Sequence, residues 1–310
     1  MQLFDLHCDT LYKAVTENKD LNSEECHISV SKAYFLEKWI QCFAVWIPDD
    51  VTDEYADFLF DNGYKILKDN CKKYGIKLLD NFNELKNSIN NCNKCCFLTV
   101  ENGKLLHGKL ENIEKLKKCN VKMITLTWNG DNEIGTGALT DKNTGLTDFG
   151  FKAVKKLEEN SIVIDVSHAS QNTFYDVASV TEKPFIATHS NSYSITKHKR
   201  NLTDEQFSII RDRGGIVGIN FYKEFLNNNE NEACMYDILK HTEHFLSLGG
   251  ENTVSIGSDF DGCDLTNDIK DIKSTSDIYE LFLKENYSET LLDKLFFYNA
   301  FNFCQNFDNL

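Results

Sequence analysis

Residues 162–189 read IVIDVSHASQNTFYDVASVTEKPFIATH and contain the pattern that decides the predicted fold. The runs at 162–168 and 185–189 are short and mostly apolar or β-branched, and each ends in a histidine. Near-continuous apolar runs of this length are typical of strands that are covered on both faces of a parallel sheet. The histidines are therefore predicted to lie at the carboxyl ends of two such strands.

The same pattern recurs along the whole chain. The predicted strands are residues 3–7, 42–47, 97–101, 122–128, 162–168, 185–189, 216–221 and 254–259. Charged segments with helical periodicity separate most of them, among them residues 55–74, 112–119, 149–158 and 204–213, the last of which follows a capping Thr203. Eight strand–helix units predict an α/β fold, a (β/α)₈ barrel of the TIM type. A doubly wound open sheet is the alternative, but no glycine-rich phosphate loop follows the first strand.

Composition and charge exclude several classes of protein. The chain has 310 residues, with 33 basic and 48 acidic side chains and a formal charge of −15. This acidity disfavours nucleic-acid and anionic-membrane partners, and no apolar run approaches the ~20 residues of a membrane span. Eleven irregularly spaced cysteines, and an N-terminus unlike a signal peptide, predict a cytoplasmic protein with reduced thiols. Two prolines and no flexible linker favour one domain, residues 1–310, over two.

Imidazoles and carboxylates stand at or just beyond the ends of five predicted strands. They are His7, Asp9, Glu101, His168, His189 and Asp259. In a parallel barrel these ends converge on one face, where such enzymes place their active sites. A single histidine at a strand end is more often an ordinary hydrogen-bonded residue, but six such groups in register predict a site for zinc or a similar divalent ion.

The spacing of these residues would allow two metal ions. His7 and Asp9 are two residues apart in an extended segment, so both can reach one ion. His168 and His189, from neighbouring strands, can hold a second ion, and the two oxygens of Glu101 can bridge the pair. Two ions about 3.5–4 Å apart would share a water molecule, lower its pKa and polarise a carbonyl group.

Other cysteines and histidines are given structural roles. Residues 92–96, CNKCC, contain a CxxC pair, but no second pair lies at zinc-ribbon spacing. His241 and His244 share one face of a predicted helix, and we expect them to be solvated or to cap it. Cys8 should point away from the metal candidates of its strand, into the core.

Seven motifs occur in an order that resembles one enzyme family. They are DLHCDTL, LTVENG, ITLTWNGDNEIGTGA, IDVSHAS, ATHSN with KRNLTDEQ, GGIVGINFY and IGSDFDG. Over about residues 1–300 the chain resembles the membrane (renal) dipeptidase family, in its soluble bacterial type, a branch of the amidohydrolase-like barrels. The resemblance implies a binuclear zinc enzyme that cleaves dipeptides and commonly tolerates a D-residue at the C-terminal position.

The resemblance also implies a role for each matching residue. The implied zinc ligands are His7 and Asp9 for one ion, His168 and His189 for the other, and Glu101 as the bridge. Asp259 matches the acid/base that takes a proton from the attacking water and delivers it to the leaving amine. Arg200 matches an arginine that grips the free carboxylate of the substrate, a task suited to a planar guanidinium. Tyr222 matches a tyrosine in the same pocket.

Trp128 departs from the family pattern, because it replaces a histidine that contacts the substrate and the developing oxyanion. An indole offers one N–H donor and no charge, and loss of an oxyanion donor typically costs ~10²–10³-fold in turnover. Three outcomes stay open: the indole substitutes for the histidine, the substrate differs, or ordinary dipeptides are cleaved slowly.

The expected function is a metal-dependent dipeptidase in which a hydroxide bridging the metals attacks the peptide bond. One alternative is a related amidohydrolase that acts on a lactam, a cyclic amide or an N-acyl amino acid. A more distant alternative is a non-catalytic relative that binds metal or peptide. The expected partner is a small dipeptide, and the resemblance is compatible with a homodimer.

Overall fold

Seven parallel strands and one short bridging segment form a ring in a computed structural model that describes residues 1–142 and 144–307. The strands are β1 (Gln2–Asp5), β2 (Lys38–Trp46), β3 (Lys77–Leu78), β4 (Lys94–Glu101), β5 (Val121–Thr125), β6 (Val163–Asp165), β7 (Val217–Ile219) and β8 (Val254–Ile256). Their order in the sheet is β6-β5-β4-β2-β1-β8-β7, with β3 paired to β4 outside this path. The segment at 186–187 makes parallel bridges to both edges, from Ile186 to Asp165 of β6 and from Ala187 to Val217 of β7. The predicted barrel is confirmed.

Helices alternate with these strands. The α-helices are α1 (Thr10–Thr16), α2 (Asp53–Tyr74), α3 (Leu85–Cys92), α4 (Glu111–Lys118), α5 (Asp148–Glu159), α6 (Gln171–Val180), α7 (Asp204–Asp212), α8 (Lys223–Leu226), α9 (Met235–Ser247), α10 (Ser274–Lys284), α11 (Glu289–Asp293) and α12 (Asn299–Phe307). The four helices predicted by range are present as α2, α4, α5 and α7, and Thr203 closes a capping box with Gln206 at the start of α7. Among the described residues, no helix is long and apolar enough to cross a membrane.

Several strands end earlier in the structure than the sequence predicts. β1, β5, β6 and β8 stop two or three residues before the predicted ends. For β6 and β8 the reason is that the chain turns beyond the strand, where His168 (φ 69°) and Asp259 (φ 61°) adopt the left-handed region that non-glycine residues seldom occupy. These turns direct side chains across the open end of the barrel, so the errors in strand length fall where the candidate site lies.

Candidate metal centre

His7 lies at the centre of a group of buried carboxylates. Its Nε2 is 3.4 Å from Asp9 Oδ2, 3.6 Å from Glu101 Oε2 and 3.8 Å from Asp259 Oδ1. None of the four residues is more than 8% exposed. Asp9 Oδ1 is buried and has no hydrogen-bond partner. Burial of a carboxylate oxygen without a partner is costly, so this atom is suited to a bound cation.

The other oxygen of Glu101 faces the second pair of histidines. Glu101 Oε1 is 2.8 Å from His168 Nε2 and 3.5 Å from His189 Nε2. One carboxylate therefore contacts two separate imidazole groups, with a different oxygen directed at each. Burial raises the pKa of Glu101 well above its usual range, and the neighbouring Asp9 adds to the shift.

Hydrogen bonds define the tautomers of this second pair. His189 Nδ1 donates to Thr188 Oγ1 (2.8 Å), because the hydroxyl proton of Thr188 is directed to Asp165 Oδ2 (2.6 Å). His168 Nδ1 donates to Asn129 Oδ1 (2.8 Å). Burial also lowers the pKa of both imidazoles well below the usual value. Both Nε2 atoms are then unprotonated.

These two Nε2 atoms are only 2.9 Å apart. Two imidazole lone pairs at this distance cannot hydrogen-bond to each other, and they repel unless a cation accepts both. Neutral imidazoles together with carboxylates form the donor set that divalent zinc prefers. The residues present therefore fit a metal site, and the predicted ligands His7, Asp9, Glu101, His168 and His189 lie together.

Two buried aspartates, which were not predicted as site residues, hold the segments that carry the ligands through hydrogen bonds. Asp5 accepts hydrogen bonds from the backbone N–H of His7 (3.3 Å) and of Ser258 (2.9 Å), which links β1 to the segment after β8. Asp165 accepts hydrogen bonds from the backbone N–H and from the hydroxyl of Thr188, the residue before His189. Each aspartate precedes a histidine ligand by two or three residues in an otherwise apolar strand. That spacing is the sequence signal that could have identified both.

Gly262 also supports the site and is missing from the prediction. A Cβ at this position would overlap Asp9 Oδ2 and lie 2.6 Å from Asp259 Oδ1. Only glycine lets the loop after β8 pass so close to both carboxylates.

A cleft of about 530 Å³ opens over these side chains. Trp128 and Tyr222 line it, as do Glu101, His168 and Asp259. Trp128 packs edge-on against Trp46, with ring centroids 4.8 Å apart, and the two indoles form an apolar wall of the cleft.

Arg200 lies behind this cleft and lines an adjoining cavity. Its guanidinium carbon is 5.3 Å from the ring centre of Phe225, which lines the cleft itself. Burial lowers the pKa of Arg200 to about 10, so the group stays cationic at neutral pH. Arg200 thus stands in the wall between the two spaces.

The structure also places the cysteines and histidines that were predicted to have structural roles, and it corrects one of those predictions. Cys8 is fully buried, and the CxxC pair belongs to no metal-binding group among the described residues. His244 contacts Asp204 at the start of α7 (2.7 Å). The prediction that His241 is solvated or caps a helix is wrong, because it is fully buried, where it accepts from Ser192 N–H and donates to the Leu226 carbonyl.

Replacement of Thr188 by Val should weaken metal binding by about 10–100-fold. The change removes the hydroxyl that connects His189 to Asp165, so the imidazole loses its fixed tautomer and orientation. Competition with a zinc-sensitive chelator measures the affinity directly. Thr127→Val is the matched control, because Thr127 is equally buried but its hydroxyl has no hydrogen-bond partner. Equal affinities of the two variants would contradict the role of Thr188.

A parallel barrel that gathers histidines and carboxylates beyond its strands is the architecture of metal-dependent barrel hydrolases. The family model for membrane dipeptidase (peptidase family M19) matches residues 1–310. The chain belongs to this family, whose members are metallopeptidases that require divalent metal ions.

Two curated proteins are similar to the chain in sequence, and a solved structure is similar to it in fold. An uncharacterized protein from the region 5′ of pqqA in Klebsiella pneumoniae is 31% identical over 208 residues, covering 64% of this chain and 77% of the relative. An uncharacterized dipeptidase of Schizosaccharomyces pombe is 33% identical over 172 residues, which span 53% of this chain and 41% of that protein. The fold is similar to that of a Rhodobacter sphaeroides metallopeptidase liganded with a phosphinate mimic of L-Ala-D-Ala, with a TM-score of 0.91, 22% identity and coverage of 98% and 99% of the two chains.

Proposed function

We propose that the protein is a dipeptidase that holds two divalent metal ions, with zinc as the expected metal. It hydrolyses dipeptides, including those with a C-terminal D-residue. The observation that carries the proposal is the placement of Glu101, whose two oxygens face His7 on one side and His168 with His189 on the other. The complex of the Rhodobacter sphaeroides relative with a dipeptide mimic supports a dipeptide as substrate.

In this proposal His7 and Asp9 would hold one ion, His168 and His189 would hold the other, and Glu101 would be a ligand to both. When bound, the ions would supply Lewis-acid activation of a water molecule and of the peptide carbonyl. The buried side chains also exclude bulk water from the centre, which strengthens every electrostatic interaction there.

Asp259 is the proton carrier. Asn220 Nδ2 donates to its Oδ2 (2.9 Å), which holds the carboxylate in place, while Oδ1 faces the metal centre. Burial raises the pKa of Asp259 to about 7. A carboxylate held in this position can accept a proton from water and give it to the leaving amine.

Arg200 and Tyr222 bind the free carboxylate of the substrate. Arg200→Ala should raise KM for dipeptides with a free C-terminal carboxylate about 10–100-fold, because a charge-assisted hydrogen bond is lost. The KM for the corresponding dipeptide amides should change little. Steady-state kinetics on Ala-Ala and Ala-Ala-amide make the comparison, and equal effects on both would remove Arg200 from this role.

A second candidate function is hydrolysis of a lactam, a cyclic amide or an N-acyl amino acid, and Trp128 favours it. The indole pair with Trp46 presents an apolar surface where the family carries a histidine, and such a surface suits a compact ring. A panel of dipeptides, hydantoins, lactams and N-acyl amino acids separates the two candidates. Faster turnover of the cyclic compounds would replace the dipeptidase proposal.

We also propose a cytoplasmic location, a single domain over residues 1–310 and a homodimer.

A further inference from the structure

The cavity behind Arg200 is lined in part by the residues that follow two of the metal ligands in the chain. It has a volume of about 350 Å³. Ala169 and Ser190, which line it, immediately follow the ligands His168 and His189. We call this space the side cavity; its charged and hydroxyl-bearing lining residues are Thr140, Asp141, Lys142, Ser170, Ser190, Tyr193, Lys199 and Arg200.

The side cavity and the metal cleft carry opposite charge. The described residues that line the cleft include six carboxylates and no lysine or arginine: Asp9, Glu101, Glu224, Asp259, Asp261 and Asp264. The side cavity has three basic lining residues, Lys142, Lys199 and Arg200, against one acidic residue, Asp141. In a chain of formal charge −15, a basic cavity is unusual and indicates an anionic occupant.

Two buried donors in this cavity lack partners. Arg200 is 3% exposed, and its Nε and Nη2 make no hydrogen bond. Ser190 is fully buried and its hydroxyl is also unpaired. Unpaired buried donors are costly, and both lie where a ligand bearing carboxylate oxygens could satisfy them. Lys199 is exposed at the edge of the cavity and adds a mobile positive charge.

We propose that the side cavity receives the C-terminal residue of the dipeptide and selects an acidic one, aspartate or glutamate. The inference rests on the proposed dipeptidase function and adds the substrate class. Arg200 binds the α-carboxylate, as proposed above, Ser190 adds a hydrogen bond from the side cavity, and Lys199 pairs with the side-chain carboxylate at the edge of the cavity. One arginine suffices for the α-carboxylate of any dipeptide, so the additional lysine charge is what distinguishes a dicarboxylate from a neutral residue.

The test compares Ala-Asp with Ala-Asn, which have nearly the same shape and differ in one charge, each with an L- and a D-configured C-terminal residue. Zinc-loaded wild-type protein should show a kcat/KM about fivefold higher for Ala-Asp in the preferred configuration, because one partly exposed ion pair distinguishes the two peptides. Lys199→Gln should reduce this ratio about fivefold, the upper end of what a partly exposed ion pair contributes.

Lys197→Gln is the matched control, because Lys197 is an exposed lysine of the same loop that lines neither the cleft nor the side cavity. It should leave the ratio at the wild-type value. Two results would overturn the inference of an acidic C-terminal residue and leave the proposed dipeptidase function intact. One is equal kcat/KM for Ala-Asp and Ala-Asn in the wild-type protein, and the other is an equal change of the ratio in the Lys199→Gln and Lys197→Gln variants. Absence of hydrolysis of every dipeptide by metal-loaded protein would instead overturn the proposed function.

Discussion

Replacement of Asp259 by Asn should lower kcat for dipeptide hydrolysis by about 10²–10⁴-fold, the usual contribution of a general acid–base group. The amide keeps the shape of the side chain and can still contact Asn220, but it cannot take a proton from water or deliver one to the leaving amine. KM should change much less, because Asp259 acts on the reacting groups and the binding of the substrate carboxylate is assigned to Arg200.

The control for this variant is Asp264→Asn. Asp264 lines the same cleft, but its side chain is 80% exposed and its nearest cation is the Nζ of Lys223, 3.8 Å away. We expect nearly wild-type turnover from it. Metal analysis of the Asp259→Asn protein completes the experiment, since both ions should still be bound. A kcat within about threefold of wild type, with the metals in place, would exclude Asp259 as the proton carrier.

The largest loss is expected from Glu101→Ala. Glu101 is the residue that contacts both imidazole groups, so its removal should reduce the bound metal from two ions to one or none. Metal activation of water and carbonyl is worth several kcal/mol, which corresponds to about a thousandfold or more in rate. Activity assays and elemental analysis on the same sample measure both effects.

Treatment of the wild-type protein with a chelator provides the matching experiment without a mutation. Hydrolysis should fall to background and return when zinc, cobalt or manganese is added. Circular dichroism before and after chelation shows whether the fold survives. Undiminished hydrolysis by metal-free, folded protein would end the metallopeptidase mechanism for this chain.

The barrel was predictable because its strands are buried on both faces. Runs such as residues 162–166 (IVIDV) and 216–219 (IVGI) are almost continuously apolar, and this signal depends only on local composition. β3, at Lys77–Leu78, was not predictable from periodicity, since two residues are too few to show an alternation. The ends of the strands were also misplaced, because the left-handed turns at His168 and Asp259 depend on contacts with distant segments.

The ligands were predictable for a related reason, since imidazoles and carboxylates that interrupt several apolar strands at the same end are costly to bury together without a cation. The residues around the ligands were harder to predict from the sequence. Thr188 and Asn129 matter only because they meet the Nδ1 atoms of His189 and His168, and such pairings appear only in three dimensions. Arg200 was identified by resemblance alone, and its position between the cleft and the side cavity could not be read from the order of residues.

The most direct test is a crystal structure of the zinc-loaded protein with anomalous diffraction measured on both sides of the zinc absorption edge. Two peaks per chain are predicted, one beside His7 and Asp9 and one beside His168 and His189, with an oxygen of Glu101 directed at each. No peak in this region, or a single peak that leaves either histidine group without an ion, would contradict a two-metal centre.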